Sequence, residues 1–301
     1  MRIWRYIFFV LLLFLVVIII AIVQLPDGNL HIVACNVGQG DAILVTYGST
    51  QILTDGGPDN KVLDCLGRYM PFWDRKIELA ISTHPDSDHS TGLLGVLRNY
   101  KVDALLINPI DPGTQIYQLL KNEVGDRGIP VINPVDGTKL RLGLIYLDVV
   151  NPTDELFSKL SPGVVGDKLS GYSIGKDTNL YSIVYKLSYK NFSGIFTGDM
   201  PPEVSDNIAE TWQMGAIEYI KVPHHGSKNG LTQNLLEKIV PSDASDNPPI
   251  AVISVGKNSW GFPAPEILDV LRRYNFRVLR TDQMGDVEVV SDGERFWVRG
   301  K

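Results

Sequence analysis

The sequence predicts a layered α/β body, two sheets packed face to face with helices outside, preceded by one membrane-spanning helix. Three observations carry this expectation. The chain opens with an unbroken apolar run. Short β-branched segments then alternate with segments of helical period. That alternation occurs in two successive halves, each with strands first, which favours two sheets covered by helices over one.

The opening segment, "MRIWRYIFFVLLLFLVVIIIAIVQLPDG", has no polar residue from Ile7 to Val23, a length at the low end of a bilayer span. It has no polar face, which a buried core helix would show at its edge. Arg2 and Arg5 precede the run and Asp27 follows it, so the positive-inside rule leaves the remainder of the chain outside the cytoplasm. A cleaved signal, followed by secretion, is the alternative. Its apolar core would run about 7–15 residues and end in small residues, whereas "AIVQ" offers Val23. The expected organisation is an uncleaved anchor over residues 1–28 and one domain over 29–301.

After the anchor, "NLHIVACNV", "DAILVTYG" and "TQILTDGG" read as a strand meander with glycine-rich turns. "NKVLDCLGRYM" has helical spacing, "IELAIST" reads as a buried strand, "TGLLGVLRNY" as a helix and "VDALLIN" as the next strand. "TQIYQLLKNEVGDRG" is a further helix closed by Gly128. Residues 154–176 lack a sustained period and read as a long loop. Strands resume with "NLYSIVYKLSY" and "FSGIFTGD". A helix over 203–212, the strand "EYIKV", the helix "LTQNLLEKI" and the strand "IAVISVG" follow. "PEILDVLRRY", "FRVLRTD", "DVEVVSD" and "RFWVRG" end the chain as one helix and three strands. No close internal repeat accompanies the two halves.

The 301 residues carry a formal charge of −6, so the chain as a whole lacks the basic footprint of a protein that grips long phosphate backbones. Cys35 and Cys65 are the only cysteines, without metal-ligand spacing; they read as two buried small residues, with pairing left open.

The chemistry concentrates in "STHPDSDHSTGL". A chain with five histidines places two of them, His84 and His89, beside Asp86 and Asp88 where a buried strand meets the surface. Helix capping needs one Asp or Ser, not two histidines as well. Imidazole nitrogen and carboxylate oxygen together suit a borderline cation, and crowded carboxylates are costly unless a cation neutralises them. Two further histidines, His224 and His225 in "KVPHHGSKNG", also follow an apolar strand, and Asp199 in "IFTGDM" ends a third. His31 in "LHIVAC" reads as a partly buried strand residue. Ser227, Lys257 and Ser259 lie on neighbouring loops.

Taken in order, "VGQGDAILV", "ILTDGG", "STHPDSDHSTGL", "IFTGDM", "VPHHGS", "ISVGKNS" and "RTDQMGDV" resemble the metallo-β-lactamase fold, most closely the C-terminal hydrolase domain of the bacterial DNA-uptake channel ComEC. These motifs cover about residues 30–298. The resemblance implies an αββα sandwich of two mixed sheets and a phosphodiester-type hydrolase with one or two divalent ions, zinc first and manganese open. It makes His84, Asp86, Asp88 and His89 metal ligands, Asp199 a bridging ligand, and one of His224 and His225 a further ligand. Asp88 or Asp199 would orient water. Asp41 and Asp55 would orient ligands or loop backbone, and Ser227, Lys257 and Ser259 would be candidate phosphate contacts.

Three departures stand out. A histidine is missing near Asp177 and Asn179, Phe262 stands where related domains often carry a histidine, and Asn36 stands where they carry an acid. One metal position is therefore expected to be the weaker. The implied substrate is DNA, in the setting of competence-machinery proteins. Alternatives are a phosphodiester of the cell envelope, such as a phosphocholine substituent, a small ester, or a non-catalytic DNA-binding or assembly module. The charge asymmetry around the apolar run generates one test: a topology reporter fused after residue 301 is expected to be active only outside the cytoplasm, and activity inside intact cells would refute that orientation.

Overall fold

The computed structural model describes residues 2–164, 166–174, 177–240 and 247–300. Helix α1 spans Arg2–Val23, and no residue of its apolar stretch Ile3–Val23, mean hydropathy 3.5, is buried by the domain. It is long and apolar enough to cross a membrane.

The first sheet begins with β1 (Leu30–Ala34), β2 (Ile43–Tyr47) and β3 (Thr50–Thr54), an antiparallel meander. Helix α2 (Lys61–Tyr69) then leads to β4 (Leu79–Ser82), helix α3 (Ser87–Asn99), β5 (Leu105–Ile107), helix α4 (Gln115–Asp126) and β6 (Val131–Ile132). Strands β3 to β6 are parallel, which the helices between them allow by carrying the chain back to the start of each next strand. The second sheet comprises β7 (Lys139–Leu142), β8 (Ile145–Asn151), β9 (Val184–Tyr189), β10 (Phe192–Phe196), β11 (Tyr219–Lys221), β12 (Ile250–Ile253) and β13 (Arg277–Arg280). It is antiparallel up to β10 and parallel beyond. Helices α5 (Pro202–Thr211), α6 (Gln233–Ile239) and α7 (Pro265–Arg273) connect its parallel strands.

Two-residue alternation sorts the side chains between layers. Ile32, Val45, Ile52 and Ile81 of the first sheet meet Leu147, Tyr185, Phe196 and Val252 of the second in the central core. On the opposite face of the first sheet, Val33, Leu44 and Leu53 pack with Leu66, Leu93 and Leu97 of the helices. Ile195, Ile220 and Ala251 do the same beneath Ile208, Leu235 and Leu271. The sheets are therefore buried on both faces, and the αββα expectation holds.

Three details differ from the sequence reading. The last two strands, β14 (Val287–Ser291) and β15 (Phe296–Arg299), return to the first sheet beside β1. Local period reveals a strand but not its neighbour. "NLY" of "NLYSIVYKLSY" forms a 3-10 turn over Thr178–Tyr181 before the strand begins. The expected loop over 154–176 contains a short helix, Asp154–Ser158, and the two-residue strand Tyr172–Ser173, which pairs with Ser161–Pro162 on one side and Ile110–Asp111 on the other; residues 165, 175 and 176 lie outside the described residues.

Cys35 and Cys65 form a disulfide that ties the end of β1 to α2. Both are buried, as expected, and the open question of pairing is decided by the fold, which brings their Cα atoms to 5.9 Å. A closed loop of 30 residues constrains the unfolded chain, so replacing both cysteines by alanine is expected to lower unfolding stability by about 3 kcal/mol. Urea unfolding of the full chain in detergent checks this, and an unchanged midpoint would show that the cross-link carries no stability.

Candidate metal centre

The centre lies where loops follow the C-terminal ends of strands in both sheets. Helix α3 starts at Ser87, earlier than its apolar period suggests, so Asp86 is the residue before the helix while Asp88 and His89 occupy its first turn. This turn lies against glycine backbone. Gly56 N–H donates to His89 O at 2.7 Å and Gly92 N–H to Gly57 O at 2.9 Å. A Cβ on Gly56 would fall 2.4 Å from Leu93 N, and one on Gly40 would fall 2.3 Å from Asp88 O. The glycines of "GQGD" and "TDGG" thus permit the close approach that aims the first turn of α3 into the site.

Asp55, held at φ 60°, accepts hydrogen bonds from Thr83 N (2.8 Å), Thr83 Oγ1 (2.7 Å) and His89 Nδ1 (2.8 Å). His89 therefore carries its proton on Nδ1 and turns a bare Nε2 inward. His84 Nδ1 lies 3.0 Å from Thr83 Oγ1, whose hydrogen is given to Asp55, so the imidazole donates and again leaves Nε2 bare. His225 Nδ1 donates to Ser254 O at 2.9 Å, leaving its Nε2 facing the same space. Three separate acceptors thus orient three imidazoles in one sense.

Around these nitrogens stand the carboxylates. Asp199, whose N–H donates to Ser182 Oγ, approaches His89 Nε2 at 3.4 Å and His225 Nε2 at 3.5 Å. Asp88 lies 3.2 Å from His225 Nε2. Candidate ligand atoms of His84, His89 and Asp199 fall within 4.8 Å of one another, as do those of Asp88, His89 and His225. His84 Nε2 and His89 Nε2 are buried without a hydrogen-bond partner. Bare imidazole nitrogens converging with carboxylates fit a divalent cation of N/O preference.

The other expected residues are distributed around this cluster. Asp86 is partly exposed, accepts from Thr178 Oγ1 at 2.5 Å, and lies 3.7 Å from His84 Nε2. His224 is half-buried and packs edge-on against Phe262, with ring centroids 5.6 Å apart, at the rim. Asp41 is buried, 3.5 Å from His225 Nδ1. Ser227 is buried and its Oγ accepts from Asn229 N, whereas Lys257 and Ser259 are exposed. Asn179 keeps a buried Oδ1 without a partner. His31, on β1, is shared between Asp27 (2.9 Å) and Glu288 (2.8 Å), away from the centre.

Lys221, the last residue of β11, was legible only as part of the strand "EYIKV". It is 1% exposed; its Nζ donates to Gly198 O at 3.0 Å, contacts Asp41, and stands 3.5 Å from Asp199. The available signal was a lysine at the end of an apolar strand, immediately before "VPHH". Burial opposes its charge, but Asp41 and Asp199 outweigh burial and raise its pKa. Removing such an ammonium leaves buried carboxylates unpaired, which typically costs about 3–5 kcal/mol.

The electrostatics of the cluster's own side chains follow the same balance. Burial disfavours protonation of His89 and His225, yet the carboxylates prevail: Asp199 and Asp55 push His89 well up, while Asp199 and Asp41 take His225 to about 9. Burial and the neighbouring His89 push His84 down. For Asp199, His225, His89 and Lys221 overcome burial and hold the carboxyl well below its ordinary range. Strain is concentrated here too. Three of the six described non-glycine residues with positive φ are Asp55, His224 and His225, a conformation that costs about 1–3 kcal/mol each when imposed on such residues.

The geometry separates the two adjacent histidines. The full chain, purified in detergent, is expected to retain zinc or manganese by elemental analysis. His89→Ala is expected to lose most of it and His224→Ala to keep most of it; a folded wild type that takes up neither metal when supplied would refute the metal centre.

No protein-family model matches the chain. It is 26% identical to ComE operon protein 3 of Bacillus subtilis (strain 168) over 215 residues, covering 71% of this chain and 24% of that protein. It is 23% identical to Recombination protein 2 of Haemophilus influenzae over 271 residues, covering 88% and 29%. The chain thus spans about a quarter of the length of these relatives. Among solved structures, the metallo-β-lactamase fold protein YhfI from Bacillus subtilis aligns with a TM-score of 0.52 at 12% identity, over 87% of this chain and 100% of that one. CmlA, a diiron β-hydroxylase from Streptomyces venezuelae, gives 0.52 at 13% identity, over 91% and 55%. The second name attaches oxidative chemistry to the same architecture, so the fold alone does not select a reaction. The chain has the metallo-β-lactamase fold and, within it, resembles the ComEC family through its likeness to these two curated relatives.

Proposed function

We propose that the chain is a membrane-anchored, metal-dependent phosphodiesterase whose domain works outside the cytoplasm, with DNA as its leading substrate and competence as its setting. The observation that carries the hydrolase reading is the convergence of the Nε2 atoms of His84, His89 and His225 with Asp88 and Asp199. His89, His225, Asp88 and Asp199 would hold the more complete cation position. His84, Asp86 and Asp199 would hold the other, with Asn179 nearby in place of an imidazole. A divalent cation bound there supplies Lewis acidity toward a phosphoryl oxygen and an acidified water.

The chain's own side chains divide the remaining work. Asp199 is nearly inaccessible and faces both His89 and His225, so it sets the spacing of the ligand groups. Asp88 is about one-third exposed and therefore reaches solvent, where it can accept a proton from an attacking water. Asp55 keeps His89 in the tautomer that leaves Nε2 bare. Lys221 holds Asp41 and Asp199 with charge that cannot diffuse away. Exposed Lys257 and Ser259 are suited to contact phosphate oxygens.

Two features support the compartment: basic residues precede α1, and a disulfide is characteristic of oxidising surroundings. An exposed aromatic pair, Phe72 and Trp73, adjoins the exit of α1 and supports the anchor rather than its orientation. Phe72 N–H donates to Gln24 Oε1 at 3.0 Å, which places the pair where an interfacial aromatic belt would lie. DNA is favoured by the sequence resemblance. The formal charge of −6 restricts DNA contact to the neighbourhood of the site and keeps envelope phosphodiesters as the second reading.

Asp199→Ala is expected to abolish hydrolysis even where a metal still binds, since the carboxylate shared between the ligand groups is gone. Wild type and variant are compared, with added zinc or manganese, on single-stranded DNA, duplex DNA, a base-free phosphodiester and a phosphocholine ester. Metal-dependent DNA cleavage lost in the variant supports the nuclease reading. Cleavage of the phosphocholine ester alone selects the envelope reading. Four intact substrates with metal bound would overturn the phosphodiesterase assignment in favour of a non-catalytic module.

A further inference from the structure

The loop after β12, "GKNSWGFPA", carries an arrangement that the metal centre does not use. Trp260 is 67% exposed, the most exposed tryptophan described outside α1. Its ring lies nearly parallel to that of Phe262, with centroids 6.2 Å apart and planes inclined by 23°. Phe262 in turn meets His224 at 5.6 Å, and His224 meets His225 at 6.3 Å. A line of four rings thus runs from open solvent to a residue that faces Asp88 and Asp199.

The loop that presents this line is braced. Asn258 Oδ1 accepts from Trp260 N (3.1 Å) and Phe262 N (3.0 Å), while its Nδ2 donates to Gly256 O (2.9 Å) and Phe262 O (3.0 Å). One side chain therefore closes the turn from within, and the exposure of Trp260 is not that of a frayed segment. At its base the loop sits against the "GQGD" loop: Gly256 N–H donates to Gln39 Oε1, and a Cβ on Gly256 would fall 2.4 Å from the carbonyl carbon of Gly38.

Its position sets the loop apart from the exit of α1. Helix α1 enters the domain at the Leu30 end of β1, whereas the Trp260 loop borders the opposite end, about 17 Å away along a five-residue strand. The aromatic pair suited to the bilayer surface is instead Phe72 and Trp73. Around Trp260 the surface is polar: Lys257 and Ser259 on the same loop are exposed, as is Lys228 beyond "HHGS", and neither lysine has an ion pair among the described residues. A flat ring with lysines beside it suits a planar base joined to phosphates better than an apolar peptide, which would need a groove.

We infer that Trp260, backed by Phe262, is a stacking platform that seats an unpaired nucleobase of single-stranded DNA and so leads the adjoining phosphodiester toward the metal centre. This rests on the phosphodiesterase reading and adds strand state to it. Bases paired in a duplex keep their faces covered, so the platform selects single strands.

The test uses the full chain in detergent micelles, on ice, with strand integrity checked on a gel after each titration. Fluorescence anisotropy measures the affinity for labelled oligothymidylate, for an abasic strand of equal length and charge, and for a duplex. Wild type and the control Trp73→Ala are expected to bind oligothymidylate roughly tenfold or more tighter than the abasic strand, the range of one base stacked on an aromatic ring. Trp260→Ala is expected to lose that preference while keeping its abasic affinity, and Trp260→Phe to retain most of it. Equal affinity of wild type for the two strands, no binding of either, or a Trp260→Ala variant that keeps the preference would each overturn the inference. So would loss of binding to anionic vesicles alone, which would assign Trp260 to a lipid surface. Failure of the hydrolytic reading shows elsewhere, as all four substrates of the cleavage assay left intact with metal bound.

Discussion

Negative charge out of water has to be matched by positive charge, and the centre of this protein is organised by that constraint. Asp41, Asp55 and Asp199 are buried, with Asp88 at the mouth. In a medium of low dielectric these carboxylates would repel one another and shed their charge. Lys221 answers part of the demand with a permanent ammonium, His89 and His225 answer more by holding protons, and a divalent cation can take the place of those protons. The features that make the site costly without cations are the ones that make it a receptor for them.

The fold meets this demand with strand ends. Loops after β1, β3 and β4 of one sheet, and after β10, β11 and β12 of the other, supply Asp41, Asp55, the "HPDSDH" segment, Asp199, His225 and Ser254. Where strands run parallel their ends collect at one edge, so residues far apart in the chain become neighbours without any strand leaving its sheet. Face-to-face packing through Tyr185, Phe196 and Ile81 brings the two edges together. Glycine then sets the last few ångströms, since the first turn of α3 reaches Asp55 only because Gly56 and Gly40 present no Cβ.

Much of the candidate site was legible because its residue types are scarce. Histidine beside aspartate at a strand end is conspicuous against an apolar background, which singled out His84, Asp86, Asp88, His89, Asp199 and the "HH" pair. Lys221 was not, because a lysine at the end of a short strand ordinarily extends into solvent along its own stem, and only its neighbours across the sheet show that it turns inward. The division of labour between His224 and His225 was equally hidden. Adjacent residues are equivalent on paper, and the two left-handed backbone conformations decide that His225 enters the cluster while His224 stays at the rim beside Phe262.

The sequence by itself determined the apolar N-terminal helix, the alternation of strand and helix, the two-sheet architecture and the neighbourhood of the candidate metal ligands. Each of these is written in local period or in the clustering of rare residues over a few positions. Tertiary structure decided the joining of β14 and β15 to the first sheet, the Cys35–Cys65 disulfide, the Nδ1 partners that turn three imidazole Nε2 atoms inward, and the inward turn of Lys221. Those depend on contacts between segments distant along the chain, where hydrogen-bond geometry and the energy of buried charge act only after the sheets have packed.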